Sequence, residues 1–165
     1  MRHILKIHRS LRDPIPQNPH SFSIRTFNPS TDKTQWLDLN NTIFAHHPDQ
    51  GNWVMADLEN RMSEPWFDPA GFFLCIHDDV IVGFCWTKIH QDLVNADPVG
   101  ELYVIGVDPQ EHSKGIGKTV CNEGLIYLRS KGIKESNLYV DADNEAGKGL
   151  YGGGNACLVV TGEKA

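Results

Sequence analysis

The order of apolar and polar residues at the start of the chain predicts one strand and two helices. Residues 22–27 alternate between apolar and polar, the period-two pattern of a half-buried strand. Apolar residues recur at helical spacing over 33–45, so this range predicts a helix that Thr31 or Asp32 would cap. A second helix is predicted over 54–62. The fold is therefore expected to begin with a strand followed by two helices.

The middle of the chain is rich in apolar runs that predict strands. The runs over 71–77 and 80–89 flank Asp78-Asp79, so they predict an antiparallel hairpin. A third run predicts a strand over 101–107, and after a polar loop a helix is predicted over 119–131. Three strands and one long helix thus form the predicted centre of the fold.

The remaining segments complete the predicted order β-α-α-β-β-β-α-β-α. A strand is expected over 137–142, and a short helix is expected to follow Asn144. Residues 1–20 carry three prolines among polar residues and are predicted to be a linker or tether. The sequence therefore predicts a single α+β domain over 21–165, built around one mostly antiparallel sheet.

The length, charge and cysteine content of the chain limit the kinds of molecule that it is expected to bind. The 165 residues suffice for one domain, and the net charge of −6 does not suggest a nucleic-acid-binding surface. No apolar run is long enough for a membrane span. The four cysteines are scattered without a C-x-x-C pair, which argues against disulfides and zinc. We expect a cytoplasmic monomer that binds small molecules and neither nucleic acid nor membrane.

A glycine-containing loop lies between the strand predicted over 101–107 and the helix predicted over 119–131. Gly115 and Gly117 stand directly before this helix. A loop at a helix start presents free backbone N–H groups to an anion, and the helix dipole adds partial positive charge. The segment therefore predicts a cradle for a phosphate-bearing cofactor.

Two common nucleotide-binding motifs nearly match this loop, and each fails at one position. Residues 115–119 resemble the end of a P-loop, but the first glycine of that motif would have to stand at His112. A dinucleotide-binding G-x-G-x-x-G motif that starts at Gly115 would need a glycine at Val120. Both motifs are therefore disfavoured.

The pattern that remains, His112-x-x-Gly115-x-Gly117 after a strand, resembles motif A of the GNAT acyltransferases, usually written Q/R-x-x-G-x-G/A. His112 stands where Gln or Arg is usual, and histidine also donates hydrogen bonds. The resemblance extends over about 22–151 and implies a GNAT fold. It also implies acetyl-CoA as the acetyl donor and no metal.

Longer segments resemble a narrower family, the mycothiol synthases. These segments are FAHHPDQG at 44–51, EPWFDPAGFF at 64–73, GELYVIGVDP at 100–109 and LYVDADN at 138–144. The resemblance is to the C-terminal of two tandem GNAT domains. It implies transfer of acetyl to the cysteinyl amine of Cys-GlcN-Ins, which gives mycothiol.

The GNAT resemblance also implies which residues bind the donor. Ile105 and Val107 lie on the strand whose backbone pairs with the pantetheine arm in that family. Asn144 either hydrogen-bonds the same arm or caps a helix. Lys114 and Lys118 either add positive charge for the pyrophosphate or are ordinary solvated side chains, and the two interpretations are equally favoured. The pyrophosphate is expected to contact His112, Ser113, Lys114, Gly115, Ile116, Gly117 and Lys118.

Two residues are predicted to be catalytic. With a regular period of two, Glu101 shares one strand face with Tyr103, Ile105 and Val107, and a carboxylate there is unusual. The resemblance implies that Glu101 is the general base and that Tyr151 protonates the leaving thiolate. The alternatives are a surface carboxylate at Glu101 and a tyrosine packed against the sheet at Tyr151.

Two further groups of side chains have competing interpretations. His46-His47 suggests a metal site, but no third and fourth ligands stand at useful spacing, so none is predicted. Trp53, Trp66 and Phe67 either line an acceptor pocket or fill the core.

The end of the chain departs from the GNAT pattern. Three glycines at 152–154 cannot extend a helix cheaply, and only 157–161 predicts a further short strand. We therefore expect a fragment or a frame-shifted end. Two other functions stay open: a GNAT N-acetyltransferase with another amine acceptor, and a non-catalytic acyl-CoA-binding protein.

Overall fold

The computed structural model describes residues 4–16, 21–91, 94, 96–111 and 114–141, together with the backbone of 157–161. Short 3-10 turns lie at Pro69–Gly71 and Pro109–Glu111. The helices and strands are β1 (Ile4–Ser10), β2 (Ser23–Thr26), α1 (Lys33–Ile43), α2 (Met55–Met62), β3 (Phe72–His77), β4 (Val80–His90), β5 (Val99–Val107), α3 (Ile116–Ser130), β6 (Glu135–Asp141) and β7 (Cys157–Thr161).

The strands form a seven-stranded sheet in the order β2-β3-β4-β5-β6-β1-β7 within the described part of the chain. All neighbouring pairs are antiparallel except β5 and β6, which are parallel. One core cluster packs α3 on one face of the sheet, and a second, centred on Trp36, packs α1 and α2 on the other. The predicted α+β class with a mostly antiparallel sheet is confirmed.

The first strand was not expected from the sequence. Residues Ile4–Ser10 lie between β6 and β7 and pair with both. Leu5 and Ile7 are buried in the core beneath α3. The linker predicted over 1–20 is therefore wrong for this segment, because its alternating apolar residues outweigh the prolines that follow them.

Asp32 occupies the N-cap position of α1, but its side chain does not cap the helix. Its carboxylate instead accepts hydrogen bonds from Arg25 at 2.6 and 2.9 Å and from the backbone N–H of Asn28 at 2.7 Å. The Arg25 guanidinium, assisted by the Asn28 amide, holds the pKa of Asp32 below its usual value. The predicted side-chain cap is wrong because β2 and the turn after it supply better donors.

Asp32→Asn is expected to lower the free energy of unfolding by about 1–3 kcal/mol at neutral pH, because it breaks a buried charge-assisted pair. The folded-state pKa is depressed, so this stabilisation is complete above the unfolded value of about 3.9 and is lost as the pH falls through the folded value. The difference between wild type and variant should therefore shrink below about pH 4. Urea unfolding across a pH series checks this, and Asp38→Asn, at an exposed position of α1, should show neither effect.

Candidate active site

A bulge in β5 shapes the centre of the site. Trp86 pairs with Val104 and Thr87 pairs with Leu102, so Tyr103 is an extra residue opposite β4. A bulge bends its strand and re-aims the side chains beside it. Tyr103 packs with the Trp36 cluster, whereas Ile105 packs against the α3 cluster. The regular period of two predicted for β5 is wrong because of this bulge.

The bulge coincides with a divergence between β5 and β6. The two strands pair only where Gly100–Leu102 lies beside Ser136–Leu138. Beyond Leu102 the β6 side of β5 has no strand partner among the described residues. Ile105 and Val107 lie on this part of β5 and are half-buried. An open strand edge of this kind can bind an extended chain through backbone hydrogen bonds.

The N-terminus of α3 follows the end of β5 after a short turn. Gly115 is the N-cap residue and has φ 88°, a left-handed conformation that favours glycine. Its carbonyl accepts from the backbone N–H of Thr119 at 3.1 Å and from the Thr119 hydroxyl at 2.8 Å. The helix starts at Ile116, earlier than the predicted 119, so Ile116, Gly117 and Lys118 supply first-turn N–H groups without intrahelical acceptors.

Close packing fixes this helix start against the sheet. Ile116 is buried, and a Cβ at Gly83 of β4 would lie 2.5 Å from its Cγ2 atom. Before the helix, the exposed Lys114 is ion-paired with Glu111, and its ammonium lowers the pKa of that carboxyl. His112 and Ser113 lie outside the described residues. The structure thus brings the α3 N-terminus close to the β4–β5 core while leaving Lys114 at the surface.

Glu101 is buried at the start of β5, with only 4% of the residue exposed. Its Oε1 atom lies 2.9 Å from Nε2 of His90, the last residue of β4. The His90 side chain is 34% exposed and lines a large cleft. The surface position considered for Glu101 is wrong, because the carboxylate is covered and faces an imidazole.

The cleft has a volume of about 1080 Å³ and opens between α2, the segment before β3 and the end of β4. Trp66 and Phe67 line it and also pack against the Trp36 cluster, and Trp53 does the same while being 7% exposed. These three aromatic residues therefore both line the cleft and pack in the core. Charged cleft residues are Asp49, Arg61, Glu64, Asp68, Lys88 and Lys131.

Ordered polar contacts hold the aromatic wall of the cleft beside β5. Arg61 donates from Nε to the Tyr103 hydroxyl at 3.0 Å. Lys88 Nζ lies 4.7 Å from the ring centre of Trp66 and 5.5 Å from that of Tyr103. Burial raises the pKa of Tyr103, so its hydroxyl stays protonated at neutral pH. The wall combines flat apolar faces with fixed polar groups.

A second tyrosine closes the other side of the cleft. Tyr127 of α3 donates from its hydroxyl to Asp68 Oδ2 at 2.7 Å. Burial, together with the neighbouring Asp68 carboxylate, raises the pKa of Tyr127 well above its ordinary value. Lys131 Nζ lies 5.6 Å from its ring centre. Sequence reasoning missed Tyr127, His90 and Tyr103 as cleft residues, since no local pattern relates β4, β5 and α3.

Tyr151 and Asn144, like His112 and Ser113, lie outside the described residues. Among the described residues, no group of three His, Cys, Asp or Glu side chains is placed to hold a metal ion. His47 Nδ1 accepts instead from the backbone N–H groups of Asp49 and Gln50 at 3.1 and 3.0 Å. Within the same part of the chain, no helix combines the length and apolar character needed to cross a membrane.

Sequence comparisons match the chain to one family and to one group of relatives. The profile of the acetyltransferase (GNAT) family matches residues 26–152. A mycothiol acetyltransferase from Thermobispora bispora is 46% identical over 91% of this chain and 52% of its own length. One from Thermomonospora curvata is 45% identical over 92% of this chain and 50% of its own. The chain spans about half the length of these relatives.

Solved structures share the fold at low sequence identity. A GCN5-related N-acetyltransferase from Sphaerobacter thermophilus superposes with a TM-score of 0.65 at 23% identity, covering 87% of this chain and 44% of its own. The aminoglycoside acetyltransferase AAC(6')-Iy, in complex with a CoA-containing bisubstrate analogue, superposes with a TM-score of 0.63 at 24% identity. The match covers 80% of this chain and 88% of that structure's chain. These likenesses show the fold.

Proposed function

The chain belongs to the acetyltransferase (GNAT) family, and we propose on that basis that it transfers acetyl from acetyl-CoA to an amine. The acceptor we propose is the cysteinyl amine of Cys-GlcN-Ins, which gives mycothiol, since relatives at about 45% identity are named mycothiol acetyltransferases. The structural observation that carries the proposal is the divergence of β5 from β6 beyond Leu102. Among the described residues, it leaves a strand edge open between the α3 N-terminus and Glu101.

The donor would lie along this open edge. Extended pantetheine can hydrogen-bond to the backbone of Ile105 and Val107 as an added strand would. The pyrophosphate would then reach the N–H groups of Gly117 and Lys118, where the helix dipole favours negative charge. The neighbouring Lys118 side chain would add a charge at that end. The family resemblance and the open β5 edge both support this placement.

The acceptor amine would come from the cleft side of β5. An ammonium must lose a proton before its nitrogen can attack the thioester carbonyl, and the resemblance assigns the removal of that proton to Glu101. The C–S bond then breaks, and the departing CoA thiolate takes a proton from an acid, which the resemblance assigns to Tyr151. We thus propose that Glu101 serves the removal of the acceptor proton and that Tyr151 is the acid.

The cleft suits an acceptor with sugar and inositol rings. Such rings present C–H groups that pack on aromatic faces and hydroxyls that need fixed polar partners. Trp66 and Tyr103 supply the faces, and Arg61, Lys88 and Asp68 supply charged hydrogen-bonding groups. The volume of about 1080 Å³ exceeds the need of a small amine, which favours an acceptor of disaccharide size.

Gly115→Ala is expected to weaken CoA binding by about tenfold, because a side chain at φ 88° costs roughly 1–2 kcal/mol and displaces the first turn of α3. Gly132→Ala is the matched control, since Gly132 has φ 79° with no atom within 4 Å of an added Cβ and lies at the other end of α3. Both variants should lose similar stability. Calorimetric titration with CoA should show weakened binding only for Gly115→Ala, and equal binding by the two would contradict the donor placement.

An acceptor panel tests the proposed function. Purified chain with acetyl-CoA would be offered Cys-GlcN-Ins, the same pseudodisaccharide without cysteine, and cysteine methyl ester, with product detected by mass spectrometry. The proposal predicts the highest kcat/KM for Cys-GlcN-Ins, with both parts of the molecule contributing. Faster acetylation of either part alone would contradict the proposed acceptor.

A further inference from the structure

We propose that His90 is a catalytic residue: its imidazole takes the proton of the acceptor ammonium directly, and Glu101, the base that the resemblance assigns, acts through the imidazole that it orients from behind. This inference rests on the proposed amine acetylation and assigns a residue that the GNAT resemblance does not. It concerns the place where the cleft meets the start of β5.

His90 and Glu101 differ in how far their side chains are exposed to solvent. The Glu101 side chain is 6% exposed and that of His90 is 34% exposed, while their Oε1 and Nε2 atoms are 2.9 Å apart. His90 lines the cleft, and Glu101 is not among the lining residues. An amine that enters through the cleft therefore meets the imidazole before the carboxylate.

The register of the sheet fixes this arrangement. Lys88 pairs with Glu101 and His90 pairs with Val99, so His90 and Glu101 are diagonal neighbours across two antiparallel strands. The register shift between Trp86 and Thr87 sets which β4 residues reach this diagonal. His90 is thus held by backbone pairing on one side and by a buried carboxylate on the other.

His90 and Glu101 account for the first proton transfer. The neutral imidazole donates Nε2–H to Glu101 Oε1, which leaves the Nδ1 lone pair to accept a proton from the acceptor ammonium. The freed amine attacks the thioester carbon, and the C–S bond breaks. The nitrogen loses its second proton as the amide forms, and this proton balances the one that the departing CoA thiolate takes from the acid proposed at Tyr151. The imidazolium, held against the Glu101 carboxylate, releases its proton to water in the cleft.

The sheet contains a second His–Glu contact that serves as a control for the histidine. His8 of β1 lies 2.5 Å from Glu135 of β6, measured from Nε2 to Oε2, and neither residue lines the cleft. The two histidine side chains are similarly exposed, at 39% for His8 and 34% for His90. A catalytic role predicts that only the replacement of His90 lowers turnover.

Steady-state kinetics make the first test, with His90→Gln beside His8→Gln. His90→Gln is expected to lower kcat by about 10²–10⁴-fold, the contribution of a general base, while KM for acetyl-CoA stays unchanged. Added imidazole should restore part of the lost rate in this variant alone. A His90→Gln variant with full kcat overturns the inference while leaving the proposed function intact.

A second readout does not depend on turnover. Nitrogen-15 NMR of the neutral imidazole should show protonated Nε2 and bare Nδ1 at His90, and Glu101→Gln should change both signals. A proton on Nδ1 would overturn the inference, because the nitrogen facing the amine would then be a donor. If the wild-type chain acetylates none of the acceptors in the panel, the proposed function fails. The NMR signals still show whether Nδ1 of His90 is free to accept a proton.

Discussion

Glu101→Gln is expected to lower kcat by about 10²–10⁴-fold, the usual contribution of general-base catalysis, because Glu101 serves the removal of the acceptor proton through His90. Glutamine has nearly the same shape and can still accept a hydrogen bond from His90, so the fold should be retained. The variant loses the negative charge of Glu101, which stabilises the protonated imidazole of His90. Turnover by mass spectrometry, with CoA affinity by calorimetry, measures the effect.

Glu135→Gln is the control for this variant. Glu135 also contacts a histidine but lies on β6 outside the cleft, so its loss should leave kcat within about twofold. Unchanged turnover in Glu101→Gln would remove Glu101 from the proton path. Equal loss in both variants would instead indicate a general effect on the sheet.

Trp36→Ala is expected to lower the free energy of unfolding by about 3–5 kcal/mol, the range for truncating a buried aromatic residue. Trp36 is fully buried, and its ring centre lies 5.2–6.0 Å from those of Phe84, Trp86, Phe72 and Trp53. Thermal unfolding should show Tm lowered by roughly 10 °C for a chain of this size.

Trp36→Phe distinguishes the contribution of aromatic packing from that of the indole N–H group. The Trp36 indole N–H is buried without a hydrogen-bond partner among the described residues, so phenylalanine removes an unsatisfied donor while keeping an aromatic ring. It should cost much less than alanine. If Trp36→Phe lowered the free energy of unfolding as much as Trp36→Ala, the indole itself, rather than buried aromatic volume, would hold α1 and α2 against the sheet.

Local patterns were sufficient where one segment determines its own structure. The two apolar runs that flank Asp78-Asp79 predict the hairpin, and these two turn residues have φ values of 50° and 63° in the structure. Helix α2 and strand β3 begin within one residue of their predicted starts. In these segments the periodicity and the turn residues agree with the final packing.

Long-range pairing accounts for the parts that the sequence did not predict. Strand β1 pairs with β6 and β7, which are more than a hundred residues away in the chain. The His90–Glu101 contact depends on the register of β4 and β5 and on the bulge at Tyr103. Such features follow from tertiary packing, which residue spacing within one segment does not encode.

Product analysis tests the central claim, acetyl transfer to the cysteinyl amine, most directly. The chain would be incubated with acetyl-CoA and Cys-GlcN-Ins, then treated with iodoacetamide before mass spectrometry. We predict a product heavier by one acetyl group whose thiol still reacts with iodoacetamide, as expected of an amide at the nitrogen. A folded chain that binds CoA and yields no acetylated product would contradict the claim.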